Sequence, residues 1–247
     1  MIKILINGST SGLGRALTKE FHKKNYSLIC TGNKKKKMKE LQKITNNKYK
    51  YFAGDITKDK ELKSLKLNLQ KINNIDVIIH CMGGGLGIKD DLISKKQFLK
   101  LFDTNLFSQS EINNLLIKKA IKKKKPLKII HISSIASVES VASVGYSTTK
   151  AALNVYSNIL SKRLISKNID IKNIILGAFE TKDNSFARLK IKNFKAYKKF
   201  KNTRMPLKKF NTINEIFPLI EFILNKNSKA ISGDIILDSR EINSFRN

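Results

Sequence analysis

The sequence predicts a single-domain α/β protein built on a doubly wound parallel β-sheet of about seven strands, with helices on both faces. Three observations support this fold class. Short apolar runs alternate with longer amphipathic ones along the whole chain. Runs such as Val77–Ile79 and Ile129–Ile130 are apolar on both faces, which is typical of parallel strands covered by helices. No linker-like stretch or internal repeat divides the 247 residues, a length that suits one core.

The elements follow one another in a regular order. Short apolar runs predict strands at Lys3–Asn7, Ser27–Thr31, Tyr49–Ala53, Ile75–Cys81, Lys128–Ser133, Asp170–Leu176 and Gly233–Leu237. Amphipathic stretches between them predict helices at about Leu13–Lys24, Lys35–Ile44, Lys58–Lys71, Lys95–Lys122, Tyr146–Lys167 and Asn214–Leu224. Each helix lies between two strands, as repeated β-α units require.

One segment, residues 182–209, interrupts this alternation. It carries eleven Lys and Arg residues and a single acid, Asp183. It follows the carboxyl end of a strand, the side on which open α/β sheets bind ligands. We therefore predict a lid or substrate loop inserted into the domain of residues 1–247. A pair of helices that is merely solvated would explain the same composition.

The net charge of +30 invites a nucleic-acid interpretation. Lysine is in excess together with asparagine and isoleucine, a joint bias that AT-rich codons produce. Arginine, which is favoured for phosphate and base recognition, is scarce, and aromatic residues are not interleaved with the lysines. We expect no specific nucleic-acid partner. The lysine runs at 34–37 and 122–125 are expected to be solvated helix ends.

The sequence also argues against a membrane span and a metal site. No apolar run approaches the ~20 residues needed to cross a bilayer. Cys30 and Cys81 lie in or beside apolar strands and are expected to be small core residues, which suits a reducing cytoplasm. The three histidines, His22, His80 and His131, are scattered and have no ligand spacing to a cysteine.

A possible acid–base pair lies at the start of the fifth predicted helix. Tyr146 and Lys150 are four residues apart, so their side chains lie on one helix face. A free phenol has a pKa near ~10, and a nearby ammonium group stabilises the phenolate and lowers that pKa. The pair could then act as a general acid or base. Taken alone, the spacing is more typical of an ordinary surface pair.

A glycine-rich loop joins the first strand to the first helix. It contains Gly8, Ser9, Thr10, Ser11, Gly12, Leu13 and Gly14. Glycines let the backbone turn tightly and approach a pyrophosphate, whose charge is held by the helix N-terminus. The Gly-x-x-x-Gly-x-Gly spacing resembles that of the short-chain dehydrogenase/reductase family. Further motifs of that family occur in the same order along nearly the whole chain.

The resemblance implies a Rossmann-like fold and a set of site residues. It implies catalytic roles for Asn105, Ser134, Tyr146 and Lys150. It implies cofactor contacts from the glycine-rich loop and from Asn33, Lys34, Asp55, Ile56, Cys81, Met82, Gly83, Tyr146, Lys150, Phe179 and Thr181. Tyr146 would exchange the proton, Lys150 would lower its pKa and hold the nicotinamide ribose, Ser134 would bind the substrate oxygen, and Asn105 would support a water path.

Three departures from the family pattern stand out. The Asn-Asn-Ala-Gly segment reads His80-Cys81-Met82-Gly83 here, and the Pro-Gly-x-x-x-Thr turn, at 176–181, lacks its proline. Ser134 precedes Tyr146 by twelve residues, whereas the usual interval of thirteen would favour Ser133. We take Ser134 and infer a one-residue deletion in the loop. At the C-terminus, residues 231–234, including Ser232, resemble the last-strand segment.

The end of the second strand bears on cofactor choice. NAD-binding proteins place an acid there, which would repel a 2′-phosphate. This chain has Asn33 and Lys34 instead. We therefore favour NADP(H) over NAD(H).

The leading hypothesis is thus an oxidoreductase that interconverts a carbonyl and a secondary alcohol. The basic lid suggests an anionic small molecule, such as a nucleotide-linked or phosphorylated sugar. A 3-oxoacyl-acyl-carrier-protein reductase is an alternative, since an acidic carrier protein would also suit a basic surface. A catalytically silent cofactor sensor would tend to lose Tyr146 or Lys150. The resemblance implies a homodimer or homotetramer, and the cysteine usage suits a cytoplasmic location.

Overall fold

The computed structural model describes residues 1–139, 141–231 and 233–242, and within them seven strands form one parallel sheet. The strands are β1 (Lys3–Asn7), β2 (Ser27–Gly32), β3 (Lys50–Ala53), β4 (Val77–His80), β5 (Leu127–Ser134), β6 (Ile169–Leu176) and β7 (Asp234–Leu237). Their spatial order is β3-β2-β1-β4-β5-β6-β7. The order reverses between β1 and β4, which opens a crevice at the carboxyl ends of these strands.

Helices cover both faces of the sheet. They are α1 (Gly12–Lys23), α2 (Lys35–Ile44), α3 (Asp59–Gln70), α4 (Lys95–Phe102), α5 (Ser108–Lys122), α6 (Ala136–Glu139), α7 (Val144–Leu164), α8 (Ser185–Lys192), α9 (Phe194–Arg204) and α10 (Ile213–Leu224). A π-helical turn, Asp103–Phe107, joins α4 to α5. Two short 3₁₀ helices follow α7 and α10.

Alternation along the strands creates two apolar layers. In β1, Ile4 and Ile6 face one layer, which includes Phe217 of α10. Leu5 faces the other layer, which includes Ile112 of α5. Successive side chains of a strand point to opposite faces, so strands that are apolar at every position are buried twice. The predicted fold class is confirmed.

The boundaries of the predicted strands differ from the observed ones by at most two residues, but one predicted helix is wrong. The stretch Lys95–Lys122 is two helices, because a π turn interrupts it at Asp103–Phe107. Asn105 lies in that turn, and its side chain is fully buried. The short helix α6 was not predicted, since four residues carry too little periodicity.

The lysine-rich segment of residues 182–209 forms α8 and α9, so it is a helix pair. The pair has a small apolar cluster of its own, in which Tyr197, Met205 and Phe210 are buried together with Ala178. Ala178 belongs to the turn that follows β6. The helix pair is thereby packed beside the carboxyl end of the sheet, where we predicted a lid.

The structure also bears on three further features: membrane-spanning helices, metal-binding groups and the two cysteines. No helix among the described residues is long and apolar enough to cross a membrane. The described residues also contain no group of three or more His, Cys, Asp or Glu side chains that could hold a metal ion. Cys30 is buried, Cys81 is half-buried, and both are free thiols. The cytoplasmic location stays a prediction. The predicted domain spans residues 1–247 and therefore includes residues outside the described ones, and Ser232 of the predicted last-strand segment is also outside them.

Candidate active site

The glycine-rich loop has a conformation and packing that require glycine. Gly8 and Gly12 have φ values of +90° and +52°. A Cβ atom on Gly8 would lie 2.8 Å from the backbone nitrogen of Met82, and one on Gly14 would lie 2.2 Å from the Gly8 carbonyl oxygen. The backbone nitrogens of Gly8 and Ser9 donate to the Thr31 carbonyl, at 3.1 and 2.8 Å. The loop is therefore held against β2 and β4 with no side chain filling it.

The N-terminus of α1 lies within this loop, and the first N–H groups of a helix have no partner in the helix itself. Its N-cap residue, Ser11, has extended backbone and makes no side-chain capping bond. The hydroxyl oxygen of Thr181 is buried and has no hydrogen-bond partner among the described residues. A Cβ atom on Gly12 would lie 3.9 Å from that oxygen. This glycine cradle, helix N-terminus and unpaired hydroxyl fit the pyrophosphate of a dinucleotide.

The end of β2 is basic. Asn33 and Lys34 are exposed, and the ammonium group of Lys34, the N-cap residue of α2, has no carboxylate partner among the described residues. Lys37 forms an ion pair of 2.6 Å with Asp183 of the lid segment. The one acid within α2 itself is Glu40, which forms an ion pair with Arg15 at 3.1 Å. The end of β2 thus carries no acid, and the ammonium group of Lys34 supplies positive charge there.

Asp55 begins the turn that leads from β3 to α3. One oxygen of its carboxylate accepts from the backbone nitrogen and the hydroxyl of Thr57, at 3.2 and 2.7 Å. This local turn fixes the carboxylate and leaves its second oxygen available. Ile56 beside it is buried, and its carbonyl accepts from Ser108 at 3.1 Å. Both residues follow the carboxyl end of β3, and their contact with the cofactor stays a prediction.

Asn105 holds the segment that follows β4. Its side chain accepts from the Gly84 nitrogen at 2.9 Å and donates to the Gly84 and Leu101 carbonyls, at 3.1 and 2.9 Å. A Cβ atom on Gly83 would lie 2.9 Å from the Asn105 oxygen and 3.0 Å from Lys150 Nζ. The Cys81–Gly83 segment, Asn105 and Lys150 are therefore brought together.

The two adjacent serines at the end of β5 differ in their surroundings. Ser133 is buried, and its hydroxyl donates to Asn154 at 2.5 Å. Ser134 is half-buried, accepts from the Ala136 nitrogen at 3.2 Å, and lies close enough to the Tyr146 phenol to lower its pKa. Successive strand residues face opposite ways, so only Ser134 points to the tyrosine.

Tyr146 and Lys150 lie one turn apart near the start of α7. Lys150 Nζ is 5.9 Å from the centre of the Tyr146 ring and donates to the Ile132 carbonyl at 2.8 Å. Lys150 is 3% exposed, so its ammonium group has little contact with solvent. The backbone of Gly85 faces Tyr146, since a Cβ on this glycine would lie 3.7 Å from that of the tyrosine. The start of α7 and the loop after β4 thus form two sides of one pocket.

Burial shifts both pKa values. It raises the pKa of the Tyr146 phenol, and the hydrogen bond from Ser134 opposes that shift. It lowers the pKa of Lys150 to about 8, partly offset by Cys81. We expected Lys150 to lower the pKa of Tyr146, but the shift is upward, because burial of the phenol outweighs the lowering effect of Ser134.

The sequence interpretation missed two buried amides that support the site. Gln109 is fully buried and donates to the Met82 and Asn105 carbonyls, at 2.9 and 3.0 Å. Asn113 is fully buried and contacts two histidines, His80 and His131. A spacing of four, from 105 to 109 to 113, places these amides on one helix face. That polar repeat in an amphipathic helix was the signal available in the sequence.

Comparison with protein families gives one clear result. The family model described as short chain dehydrogenase matches residues 3–191. The 3-oxoacyl-acyl-carrier-protein reductase FabG of Aquifex aeolicus is 26% identical over 241 residues, which are 94% of this chain and 93% of that protein. Serine 3-dehydrogenase of Agrobacterium fabrum is 29% identical over 181 residues, 72% of each chain.

Solved structures with the same fold cover almost the entire chain. L-sorbose reductase from Gluconobacter frateurii, complexed with NADPH and L-sorbose, superposes with a TM-score of 0.86 at 18% identity, over 98% of this chain and 97% of that one. A 4-hydroxyisoleucine dehydrogenase complexed with NADH gives 0.84 at 21% identity, over 97% and 98%. At these identities the likeness concerns the fold.

Proposed function

The chain belongs to the short-chain dehydrogenase/reductase family of oxidoreductases, and on that premise we propose that Tyr146, Ser134, Lys150 and Asn105 carry its chemistry. The enzyme interconverts a carbonyl and an alcohol with a nicotinamide cofactor. One observation carries the assignment of residues. Ser134 and Lys150 both lie beside Tyr146, at the carboxyl end of the sheet, where the glycine-rich loop also lies.

Each residue has a separate task. Tyr146 donates its proton to the carbonyl oxygen during reduction, and Ser134 donates a hydrogen bond to the same oxygen, which stabilises the negative charge that develops there. Lys150, with Nζ 5.9 Å from the centre of the Tyr146 ring, is the local positive charge. Asn105 holds Gly84, and with it the wall facing Tyr146. When bound, the nicotinamide ring supplies or accepts the hydride.

The raised pKa of Tyr146 determines its protonation state at neutral pH. A phenol whose pKa is raised by burial keeps its proton at neutral pH, which is the form required to reduce a carbonyl. The opposite direction requires the phenolate, and hence further positive charge near Tyr146. An oxidised nicotinamide carries such a charge. The protonated phenol therefore suits Tyr146 as the proton donor in carbonyl reduction.

Replacement of one tyrosine tests the chemistry. We expect Tyr146→Phe to lower kcat by about 10²-fold or more in an assay of NADPH oxidation over a panel of carbonyl compounds, because the proton donor is lost. Tyr26→Phe is the matched control, since Tyr26 packs edge-on against Phe21, away from the site. Full activity of the Tyr146 variant would exclude the mechanism.

The substrate is proposed from charge. Of the eleven basic residues of 182–209, three form ion pairs with acids outside the segment, namely Lys190, Arg204 and Lys209. The other eight form no ion pair with a described residue, and Asp183, the one acid within the segment, is paired with Lys37. We propose an anionic carbonyl compound, such as a nucleotide-linked or phosphorylated sugar. A 3-oxoacyl-acyl-carrier-protein reductase is the second candidate, favoured by the relative of that name in Aquifex aeolicus. Turnover of acetoacetyl thioesters but not of sugar nucleotides would select the second candidate.

We further propose a homo-oligomer. Large apolar side chains are exposed along α4, α5 and α7 and in the π turn, among them Leu99, Phe107, Val155 and Ile159, with exposures of 42–59%. A face of this kind is often covered by a second subunit. Light scattering coupled to size-exclusion chromatography would test this, and a mass of 28.0 kDa in solution would argue against it.

A further inference from the structure

Two stacked histidines lie in the centre of the sheet, outside the proposed chemistry. His80 of β4 and His131 of β5 are fully buried and lie opposite each other in the strand register. Their rings are 5.1 Å apart, with an interplanar angle of 11°. Buried imidazoles need a partner for each ring nitrogen. All four nitrogens have one, within a series of six side chains that we call the imidazole–amide chain: Thr31, Asn7, His80, Asn113, His131 and Ser157.

The bonds around His80 define its tautomer. The Thr31 hydroxyl donates to the Asn7 side-chain oxygen at 2.8 Å, which leaves the Asn7 amide to donate to His80 Nδ1 at 3.1 Å. Since Nδ1 accepts, the ring proton is on Nε2. Nε2 then donates to the side-chain oxygen of Asn113 at 2.9 Å. His80 is thereby held neutral with both nitrogens used.

The same reasoning assigns the opposite tautomer to His131. The amide nitrogen of Asn113 donates to His131 Nε2 at 2.9 Å, so the ring proton is on Nδ1. Nδ1 donates to the Ser157 hydroxyl at 2.9 Å, and that hydroxyl donates to the Leu153 carbonyl at 2.7 Å. The Asn113 amide also approaches the Tyr156 hydroxyl at 3.3 Å.

The imidazole–amide chain has hydrogen-bond partners for neutral imidazoles only. A second proton on His80 would face the Asn7 amide, and one on His131 would face the Asn113 amide. The titratable groups that face the rings are Lys150, Tyr156 and each other. Burial lowers the pKa of His80 to about 4, and burial, His80 and Lys150 hold that of His131 well below its usual value.

The elements joined by the imidazole–amide chain are those that carry the site. Asn7 directly precedes Gly8 of the cofactor loop, and His80 directly precedes the Cys81–Gly83 segment. His131 directly precedes Ile132, whose carbonyl holds Lys150 at 2.8 Å. Ser157 lies in α7, the helix that also carries the proposed acid. A change in any of these bonds would displace a residue adjacent to the reacting groups.

We propose that His80, Asn113 and His131 are positioning residues, which hold the carboxyl ends of β1, β4 and β5 in the geometry that hydride transfer requires. The proposal rests on the function proposed above. Because a displacement of about 1 Å can lower a rate by 10²-fold, the alignment matters more than the stability that the bonds add. Asn113 is central, since its single amide bridges both rings.

Two replacements of similar size separate alignment from simple filling of space. Glutamine at position 131 can place an amide oxygen near the former Nε2 and accept from Asn113, whereas leucine cannot. We expect His131→Gln to keep kcat within about threefold of the wild type and His131→Leu to lose about tenfold or more. Urea unfolding at pH 7 confirms that both variants are folded. A kcat of His131→Leu that equals or exceeds the kcat of His131→Gln would refute a positioning role.

A measurement on the intact network does not depend on either variant. The chain has three histidines, so His22→Gln leaves only the two buried rings for ¹⁵N NMR. We expect one ring protonated on Nε2 and the other on Nδ1 at pH 7. A charged ring, or two identical tautomers, would overturn the assignment. A loss of activity in Tyr146→Phe with equal kcat in both position-131 variants would remove this proposal and leave the proposed function standing.

Discussion

Ser133 and Ser134 are neighbours in the chain, yet strand alternation gives them opposite surroundings. The Ser133 hydroxyl is 2.5 Å from Asn154, whose amide in turn donates to Ser137 at 2.7 Å. Ser134 faces Tyr146. The sequence left the choice between them open, because it depends on the length of one loop. Side-chain direction at the end of β5 favours Ser134.

Serine replacements turn this geometry into a prediction. Ser134→Ala removes a donor to the substrate oxygen, and we expect kcat to fall by about 10²–10³-fold with little change in the urea midpoint. Ser133→Ala removes a buried hydrogen bond instead, so the free energy of unfolding should fall by about 1–2 kcal/mol with kcat nearly unchanged. Steady-state kinetics and urea titrations of the two variants test this. The reverse pattern would assign the role to Ser133.

Lys34 provides a second test at the level of one residue. Its unpaired ammonium group at the N-terminus of α2 suits a 2′-phosphate. We expect Lys34→Ala to raise the KM for NADPH about tenfold and to leave the KM for NADH unchanged. Lys39→Ala, an exposed lysine on the same helix, is the control. A clear NADH preference in the wild-type enzyme would contradict the predicted preference for NADP(H).

At the level of elements, periodicity predicted what depends on local pattern. All seven strands lie where apolar runs predicted them, since burial on both faces leaves no room for polar alternation. The π turn at Asp103–Phe107 was not predictable in this way. It depends on a tertiary contact, because Asn105 turns inward to bond Gly84, a residue of another loop. Gln109 and Asn113 were also missed, although their spacing of four from Asn105 was visible in the sequence; their partners in other elements were not.

A buried ion cluster at the amino end of the sheet joins three elements. Asp170 of β6 lies 2.7 Å from Lys172 Nζ and 3.1 Å from Lys128 Nζ. Lys128 also donates to the Asn225 carbonyl at 3.3 Å and to Ser228 at 2.8 Å, beyond the end of α10. Two cations thus share one carboxylate, and carbonyl groups supply the remaining negative potential.

Removal of that carboxylate should destabilise the protein strongly. We expect Asp170→Asn to lower the free energy of unfolding by about 3 kcal/mol or more, because Lys128 and Lys172 lose the one carboxylate that they contact among the described residues. Glu20→Gln is the control, since its pair with Lys23 is exposed and contributes at most about 1 kcal/mol. Urea titration provides both values. A similar small effect in both variants would show that the cluster is not essential, and kcat should be unaffected because the cluster lies opposite the site.

At the scale of the whole molecule, the net charge of +30 makes stability sensitive to acid. As pH falls, carboxylates gain protons and the excess of positive charge grows, which disfavours the compact state. The buried histidines add a separate contribution. The pKa of His80 falls to about 4 on folding, from an unfolded value near ~6.5. The neutral ring therefore stabilises the fold fully above pH ~6.5, and this stability is lost as pH falls toward 4.

The contribution of the histidines can be isolated by removing both. Between pH 6.5 and 4.5 the unfolded wild-type chain binds protons that the folded chain excludes, so each buried histidine steepens the decline in stability by up to about 1.4 kcal/mol per pH unit. The His80→Gln/His131→Gln double variant cannot titrate there, and its free energy of unfolding should fall less steeply. Carboxylates and overall repulsion act on both proteins alike at one ionic strength. Urea titrations at four pH values compare the slopes. Parallel slopes would mean that the two imidazoles are not held neutral, and the bonding assigned to His80 and His131 would then have to be abandoned.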